Sequence, residues 1–465
     1  MTDIEFDFGL VGLGVMGRNF ILNVADNDFS AIGLDLDKEK VDSLLTEGEG
    51  RVVHATQDKI EFINKLSSPR KIMLLVPAGK PVDIVINDLK PHLSKGDIII
   101  DGGNSFFTDT NRRFEELAAD GIHFFGAGVS GGAKGARKGP SIMPGGDKHA
   151  YTYIKPIFEA ASAKVNGEPC VAHLGNGSAG NYVKMVHNGI EYGLMQLISE
   201  AYSLMKNGMR LSNAEIQSAF STWNQGRLKS FLIEITAEIF DKKDELSEGD
   251  LIDAILDKGK QKGTGKWTSQ NAMDLGIPIP TIDAAVSMRE ISALKPQRMT
   301  AETLYGAKIA QTIELTIEQL EEALFFSFIV TYAQGMQQLV YASDTYNYDL
   351  NLETISKIWR GGCIIRAELL EQMRLAFDKN PSLKNLLLDE IFAAMIKPLV
   401  PSTAKVVSEG INAQVPLAAM SAGLNYFNAF TSGRLPMNLV QAQRDHFGSH
   451  TYERLDREGI FHTEW

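Results

Sequence analysis

The chain has 465 residues, of which 44% are hydrophobic and 22% are charged, and its formal net charge is −12. This length exceeds one hydrophobic core, so two or three domains are expected, and the composition excludes a disordered chain. The negative charge argues against a nucleic-acid-binding surface, and an acidic small substrate would need a locally basic pocket.

The only two cysteines, Cys170 and Cys363, do not stand in metal-ligand spacing. This argues against a disulfide scaffold and a structural zinc site, and it fits a reducing cytoplasm. The first residues, MTDIEFDFGLVGLG, lack the basic region and apolar core of a signal peptide, and the run ALFFSFIVTYA is too short to span a bilayer. We therefore expect a soluble cytoplasmic protein with no membrane contact.

Residues 1–178 alternate short apolar runs with amphipathic stretches. This alternation predicts β-α units around a mostly parallel sheet, and hence a Rossmann-like α/β domain. The apolar runs, in chain order, are DFGLVGLG, AIGLDLD, KIMLLVPAG, GDIIIDGGNS, HFFGAGVSGG and CVAHLGNGSAG.

A G-x-G-x-x-G motif follows the first predicted strand and opens an amphipathic helix. A second predicted strand ends at Asp35, about twenty residues on, and in this context the motif indicates a dinucleotide site. The helix amino terminus offers N–H groups and a positive dipole end to a pyrophosphate. The alternative is a glycine turn that binds nothing. The turn consists of Gly12, Leu13, Gly14, Val15, Met16 and Gly17.

Beyond residue 178 the sequence changes to long helical periodicities, one of which covers 315–343. We expect an all-α domain over 179–435. After Pro436 the chain becomes polar, basic and aromatic, which is typical of an arm rather than of a core element. We therefore expect 436–465 to be a C-terminal tail that needs a surface on which to lie.

One predicted helix, AGNYVKMVHNGIEYGLMQLISEAYSLM, carries a polar face among apolar residues. At about 3.6 residues per turn, Lys184, His187, Asn188, Glu191 and Tyr192 share one stripe. A solvated face usually repeats Glu, Lys, Gln and Ser, whereas this one gathers a base, an acid, an imidazole and an amide. The stripe indicates a reactive site, and an exposed polar face is the alternative.

Five long motifs occur together in this chain: GAGVSGGAKGARKGPSIMPGG, KMVHN, QKGTGKWTSQ, IWRGGCIIR and QRDHFGSHTYE. With the glycine motif, they resemble the 6-phosphogluconate dehydrogenases of the pentose phosphate pathway over nearly the full length of the chain. The resemblance implies a metal-free homodimer that oxidises 6-phospho-D-gluconate at C3 with a nicotinamide dinucleotide. It also implies loss of C1 as carbon dioxide and release of D-ribulose 5-phosphate.

The expected chemistry requires a base and an acid. Removing hydride from a secondary alcohol needs a base for the hydroxyl proton, and the resulting β-keto acid loses carbon dioxide once its ketone oxygen is protonated or hydrogen-bonded. Lys184 can serve both steps if burial keeps its neutral form populated. The resemblance makes Glu191 the acid that protonates the enediol, and it places His187 and Asn188 at C3.

The family motifs also imply the residues that bind the substrate. The turn at 130–132 would hold the carboxylate, and Tyr192, Lys262 and Arg289 would cradle the phosphate. The expected substrate-binding residues are Asn104, Ser130, Gly131, Gly132, His187, Asn188, Tyr192, Lys262, Arg289, Arg444 and His450. The last two lie in the tail and would come from the other subunit.

Cofactor choice depends on the residues after the second strand. Family members that use NADP typically carry an arginine there, whereas this chain has Leu36 between two carboxylates. Carboxylates accept hydrogen bonds from ribose hydroxyls and repel a 2′-phosphate, so NAD is the expected cofactor. NADP would be used if Lys38 or Lys40 held its phosphate. Beyond the glycine turn, the expected cofactor contacts are Asp35, Leu36, Asp37, Val76, Pro77, Ala78 and Asn104.

Two other functions predict a different sequence. A short-chain β-hydroxyacid dehydrogenase, such as 3-hydroxyisobutyrate dehydrogenase, should lack the second half of the helical domain and the arm with Arg444 and His450. A nucleotide-sensing or scaffolding protein should have lost Lys184, Glu191 or Arg444, all of which are present.

Overall fold

The computed structural model describes residues 5–306 and 312–465. It confirms a Rossmann-like α/β domain followed by a large helical domain and a short C-terminal segment. The first domain is built on a seven-stranded sheet in the order β3-β2-β1-β4-β5-β6-β7. All neighbouring strands are parallel except β7, which is antiparallel to β6. The strands are β1 Phe8–Val11, β2 Ala31–Leu34, β3 Val53–Thr56, β4 Lys71–Leu74, β5 Ile98–Asp101, β6 His123–Ser130 and β7 Ser141–Gly145.

The sheet is covered on both faces, which explains why its strands are continuous apolar runs. Successive side chains of β5 alternate between two cores: Ile98 and Ile100 pack on one face, and Ile99 packs on the other. The helices of this domain are α1 Val15–Asp26, α2 Lys38–Glu47, α3 Lys59–Asn64, α4 Lys80–Leu89, α5 Phe107–Ala119, α6 Gly132–Lys138 and α7 Tyr151–Ala161.

One strand prediction was wrong, and two strands of the sheet, β3 and β7, were missed. The run CVAHLGNGSAG forms no strand, and only Val171 makes an isolated parallel bridge to Ile142. Strand β3 was missed because its residues, VHAT, include two that are only half-buried and lack the apolar signature. A short hairpin of β8 Lys164–Val165 and β9 Glu168–Pro169 precedes the helical domain.

The helical domain is organised around two long buried helices. The first, α8, begins at Ala179 and runs for 25 residues. The second was predicted over 315–343; it begins after Thr316, whose side chain forms a capping box with Gln319. The helices are α8 Ala179–Ser203, α9 Asn213–Trp223, α10 Phe231–Asp241, α11 Leu251–Ala254, α12 Thr264–Asp274, α13 Pro280–Ala293, α14 Lys295–Tyr305, α15 Ile317–Tyr346, α16 Leu352–Trp359, α17 Leu369–Lys379, α18 Glu390–Ile396, α19 Val400–Asn412 and α20 Ala418–Phe430.

The C-terminal segment folds on itself but buries almost nothing. It contains α21 Met437–Gly448 and a two-stranded hairpin of β10 Tyr452–Glu453 and β11 Ile460–Phe461. Asp445 is its only buried residue, and its carboxylate accepts hydrogen bonds from several later residues. These donors are Thr451 N at 2.9 Å, His462 Nδ1 at 2.8 Å, Thr463 N at 3.1 Å and Trp465 Nε1 at 3.0 Å.

Within the described residues, one segment, 390–412, is long and apolar enough to cross a membrane by length and composition alone. The structure divides it into α18, a 3-10 turn at Lys397–Leu399 and α19. Phe392, Leu399 and Val406 of this segment are buried in the helical core. It is weak evidence for a membrane span, because core helices can pass the same test.

Candidate active site

Helix α8 lies directly against strands β6 and β7, and small residues make this approach possible. A Cβ atom at Gly128 of β6 would collide with the side chain of Lys184, and a Cβ atom at Gly180 of α8 would collide with the carbonyl oxygens of Gly126 and Met143. Only glycine allows such close packing of helix on strand. The side chain of Lys184 therefore lies over the sheet, at the junction of the two domains.

The polar stripe of α8 is not a solvated face. Lys184, His187, Asn188 and Tyr192 are 5%, 0%, 8% and 6% exposed, respectively. The side chain of Glu191 is 21% exposed and lies 3.9 Å from Nδ1 of His187. Burial of so many ionisable groups costs free energy, so such a stripe is expected only where the groups are paired with one another or take part in catalysis.

Burial shifts the pKa of three groups on this face, Lys184, His187 and Glu191. It lowers the pKa of Lys184 below its ordinary value, against the opposing effect of the Glu191 charge. It lowers the pKa of His187 well below the usual range, and the nearby Lys184 charge adds to this. It raises the pKa of Glu191, although Lys184 and Arg289 oppose the shift. The arrangement thus favours a neutral imidazole, a lysine that can lose its proton and a carboxyl group that can keep one.

His187 connects the stripe to the turn after β6. Its Nε2 lies 3.3 Å from Oγ of Ser130, the last residue of that strand. Gly131 and Gly132 follow with φ angles of +108° and +62°, which favour glycine. A Cβ atom at Gly131 would lie 2.5 Å from the carbonyl oxygen of Gly362. Backbone N–H groups at such a turn can bind a carboxylate.

The two positions that follow this turn, Ala133 and Lys134, are both exposed on α6.

A second polar cluster lies about two turns along α8. The guanidinium carbon of Arg289 lies 3.4 Å from the centroid of the Tyr192 ring, a cation–π contact. Nδ2 of Asn188 donates a hydrogen bond to Oγ1 of Thr264 at 3.1 Å. Lys262 is exposed two residues before Thr264. This end of the site therefore carries positive charge and hydroxyl groups, which suit a phosphate.

Thr264, together with Trp359, was missed by the sequence analysis. The indole of Trp359 is fully buried and packs edge-on against the imidazole of His187, with a centroid distance of 5.5 Å. Thr264 stands in the QKGTGKWTSQ motif and Trp359 in the IWRGGCIIR motif, so these two motifs could have indicated both residues.

The dinucleotide turn has the geometry that its motif requires. Gly12 has a φ angle of +99°, and a Cβ atom at Gly17 would collide with the carbonyl oxygen of Gly12. At Gly14 there is open space, and no side chain caps the amino terminus of α1. The N–H groups of this helix end are therefore available to a pyrophosphate. The residues present fit a bound dinucleotide.

The loop after β2 places two carboxylates and a lysine together. Oδ2 of Asp35 accepts a hydrogen bond from N of Leu13 at 2.7 Å, which ties it to the glycine turn. Leu36 is 89% exposed. Nζ of Lys40 lies 3.6 Å from carboxylate oxygens of both Asp35 and Asp37, whereas Lys38 is paired with Asp42, outside the turn.

The remaining predicted cofactor contacts lie on two neighbouring loops. Val76, Pro77 and Ala78 follow β4, and Asn104 follows β5. These loops leave the carboxyl edge of adjacent parallel strands, where open α/β sheets bind their ligands.

Arg444 and His450 are exposed on the C-terminal segment. Within residues 5–306 and 312–465, no hydrogen bond or ion pair joins either side chain to Tyr192, Lys262 or Arg289; Arg444 contacts only Gln441, at 3.2 Å. The structure of one chain thus brings together the predicted residues of α8, β6 and α13, but not those of the tail.

Comparison with known proteins agrees with this geometry. The family model described as "NAD binding domain of 6-phosphogluconate dehydrogenase" matches residues 7–175, and "6-phosphogluconate dehydrogenase, C-terminal domain" matches residues 180–465. The chain belongs to the 6-phosphogluconate dehydrogenase family. The match includes the whole C-terminal segment.

Individual members of the 6-phosphogluconate dehydrogenase family show similarity over the full chain. The chain is 50% identical, over 98% of both sequences, to the NADP(+)-dependent, decarboxylating enzyme of Bacillus subtilis (strain 168). It is 48% identical, again over 98% of both, to the decarboxylating enzyme of Escherichia coli (strain K12). The solved structure of Plasmodium falciparum 6-phosphogluconate dehydrogenase superposes with a TM-score of 0.95 at 45% identity, covering 99% of this chain and 100% of that one. The chain is therefore an oxidoreductase of the decarboxylating 6-phosphogluconate dehydrogenase type.

Proposed function

We propose that the protein oxidises 6-phospho-D-gluconate at C3 and decarboxylates it to D-ribulose 5-phosphate, as an enzyme of the pentose phosphate pathway. The observation that carries this proposal is the buried face of α8, where Lys184, His187 and Glu191 lie between a carboxylate-binding turn and a basic cluster. The structure of the Plasmodium falciparum relative was determined with 6-phosphogluconate and with NADP+, which supports the same substrate class here.

The residues of the site can carry out each proton transfer of this reaction. Neutral Lys184 takes the proton of the C3 hydroxyl group as hydride leaves C3; a bound nicotinamide dinucleotide would accept that hydride. The protonated lysine then stabilises the ketone oxygen while C1 leaves as carbon dioxide. Protonated Glu191 delivers a proton to the enediol carbon that becomes C1 of the product. His187 and Asn188 orient the substrate beside the lysine.

A direct assay tests this function. Purified protein is mixed with 6-phospho-D-gluconate and either NAD or NADP, and reduced cofactor and carbon dioxide are followed together. We expect the two products in equal amounts. Reduction of cofactor without carbon dioxide would contradict the decarboxylation, and no reduction with either cofactor would contradict the proposed function.

We further propose that NAD is preferred over NADP. Leu36 is almost fully exposed and has no group that could bind a phosphate, while Asp35 and Asp37 place two carboxylates at the same turn. Adjacent carboxylates repel a 2′-phosphate and accept hydrogen bonds from ribose hydroxyls. Lys40 is a residue that favours NADP, because its ammonium lies beside both carboxylates. The Bacillus subtilis relative is named as NADP(+)-dependent, so the cofactor preference of this protein has to be measured directly.

We also propose that the protein is a cytoplasmic homodimer in which each tail reaches the partner's site. The C-terminal segment exposes large apolar side chains, including Phe447 at 74% and Leu455 at 87%, which is unfavourable unless another surface covers them. A cavity of about 690 Å³ beside Arg289 is open on the single chain and is lined by apolar Met195 and Leu256 and by basic Lys258. Such a surface suits the apolar and charged side chains of a second copy's tail. We also propose that the chain has three parts: the dinucleotide-binding domain at 1–178, the helical domain at 179–435 and the tail at 436–465.

A further inference from the structure

The side chain of Asn181, on the first turn of α8, joins the helix to the cofactor-binding domain. It is 1% exposed. Its Nδ2 donates a hydrogen bond to the carbonyl oxygen of Gly103 at 3.2 Å, and its Oδ1 accepts one from Oγ1 of Thr110 at 2.9 Å. The reaction described above gives this residue no role.

Gly103 immediately precedes Asn104 in the loop between β5 and α5. The other side of this loop is held by Asp101, which accepts hydrogen bonds from N of Gly103 at 3.0 Å and from Oγ of Ser105 at 2.6 Å. The end of β5 thus holds one side of the loop through Asp101, and α8 holds the other side through Asn181.

Asn181 and Lys184 are three residues apart, so they leave α8 on the same side. Each occupies a slot on β6 where the strand has no Cβ: a Cβ atom at Gly126 would collide with Oδ1 of Asn181, and one at Gly128 would collide with Lys184. The two side chains therefore move together with the helix, and the hydrogen bond to Gly103 links the position of Lys184 to that of the loop.

We propose that Asn181 is a positioning residue that holds the loop of Gly103 and Asn104 at a fixed distance from Lys184. This inference rests on the proposed function, because removal of hydride from C3 requires the cofactor-side loop and Lys184 to keep a fixed separation. A displacement of about 1 Å can slow a reaction by about 10²-fold when the reacting groups lose their alignment. Loss of this hydrogen bond should therefore slow the hydride step more than it weakens dinucleotide binding.

Two near-isosteric variants separate the two hydrogen bonds of Asn181. In Asn181→Asp, the ionised carboxylate still accepts from Thr110 but cannot donate to Gly103. In the control, Thr110→Val, the Thr110 hydroxyl is lost and the bond to Gly103 remains. A third variant, Asn181→Ala, removes both bonds without adding charge.

The measurements are kcat, the dissociation constant of the dinucleotide and the kinetic isotope effect on kcat/KM with substrate deuterated at C3, all at about pH 8. We expect at least about tenfold lower kcat and a changed isotope effect in Asn181→Asp and Asn181→Ala, with dinucleotide binding within about threefold of wild type. Thr110→Val should stay within about twofold of wild type on all three.

Three results would overturn the inference while leaving the proposed function intact. These are a kcat near wild type in both Asn181 variants, an equal loss in Thr110→Val, or a lower kcat with an unchanged isotope effect, which would indicate only a smaller folded fraction. Absence of turnover in the wild-type enzyme would instead refute the proposed function, and the inference with it.

Discussion

The ammonium nitrogen of Lys184 lies 3.4 Å from Nδ1 of His187, one turn further along α8. Nδ1 of His187 also lies 3.1 Å from Oδ1 of Asn188, and Nε2 lies near Ser130. Burial, together with the Lys184 charge, lowers the pKa of His187, which favours a neutral imidazole that does not compete with the lysine for a proton. Lys184 is therefore the group on this face that is best placed to act as the base.

We expect Lys184→Ala to abolish most turnover and to leave dinucleotide binding nearly intact. The lysine lies over β6 beside His187, which contacts Ser130, whereas the pyrophosphate would bind at the amino terminus of α1. General acid-base groups typically contribute about 10²- to 10⁴-fold, so kcat should fall in that range. Steady-state kinetics and fluorescence titration of the dinucleotide measure the two effects. Lys405→Ala, at an exposed lysine of α19, is the control; turnover above about a third of wild type in Lys184→Ala would contradict the role of general base.

Glu191→Gln should impair the last proton transfer most, because an amide cannot deliver a proton to the enediol. Oxidation of the alcohol should survive better than release of the ketone product. The test is to follow reduced cofactor and D-ribulose 5-phosphate in a single turnover. Equal rates of both steps in variant and wild type would show that Glu191 is only a structural hydrogen-bond partner.

The pH profile of kcat should be bell-shaped, with limbs that reflect Lys184 and Glu191. Protonation of the enediol follows the loss of carbon dioxide, so it contributes to kcat and not to kcat/KM. On the acid side, activity rises as Lys184 loses its proton, at a lower pH than for an ordinary lysine because burial lowers its pKa. On the alkaline side, activity falls as Glu191 loses its proton, at a higher pH than for an ordinary carboxyl group because burial raises its pKa. The two groups interact, so the apparent values belong to the pair. Glu191→Gln should lose the alkaline limb; a profile identical to wild type would exclude Glu191 from that limb.

For the cofactor, we expect kcat/KM with NAD to exceed that with NADP by at least about tenfold, which corresponds to about 1.4 kcal/mol. Replacing Asp35, Leu36 and Asp37 together by Asn, Arg and Thr should shift the preference toward NADP, because arginine binds a 2′-phosphate in a fork and the repelling carboxylates are gone. Lys40→Met is the matched variant: if Lys40 holds the 2′-phosphate, it will lower kcat/KM with NADP selectively. Equal or better kcat/KM with NADP in the unmodified protein would refute the preference and leave the reaction unaffected.

Tail exchange predicts complementation between inactive subunits. Lys184→Ala and Arg444→Ala each damage every site of a pure dimer, but a mixed dimer should contain one site with both residues intact. Activity should therefore reappear after subunit exchange, whose extent is measured with tagged subunits. Truncation after Pro436 should raise KM for the substrate far more than the dissociation constant of the dinucleotide. No recovery despite complete exchange would show that each tail serves its own chain.

Asp445→Asn should loosen the C-terminal segment. Burial alone would raise the pKa of Asp445, but hydrogen bonds from His462, Thr463 and Trp465 hold it at about 2. The carboxylate therefore stabilises the segment above the ordinary pKa of an aspartate, and this contribution is lost as pH falls toward 2. In the variant, trypsin should cleave near Arg454 faster, and KM for the substrate should rise. Glu458→Gln, at an exposed carboxylate of the same hairpin, is the control; equal cleavage rates in both variants would contradict the role of Asp445.

Several parts of the fold and of the candidate site could be predicted from the sequence because they depend on local spacing. The glycine turn at 12–17 and the stripe of α8 follow from the periodicity of strand and helix, which neighbouring residues impose on one another. The family motifs indicated Arg289 and Lys262 by position alone. Prediction from local spacing also explains why strand β3 was missed: its pattern of polar and apolar residues is weak.

Only the tertiary structure decided the surroundings that make these residues reactive. The surroundings of Lys184 include Gly128 of β6 and Cys363, and those of His187 include Trp359, all of which are far away in the sequence. A pKa shift reflects the sum of desolvation and charges from all packed elements, so no local pattern predicts it. The hydrogen bond between Asn181 and Gly103 likewise joins segments 78 residues apart. The sequence by itself determined which residues share a helix face or a turn, while the packing of α8 on β6 determined what those residues contact and whether they can hold or release a proton.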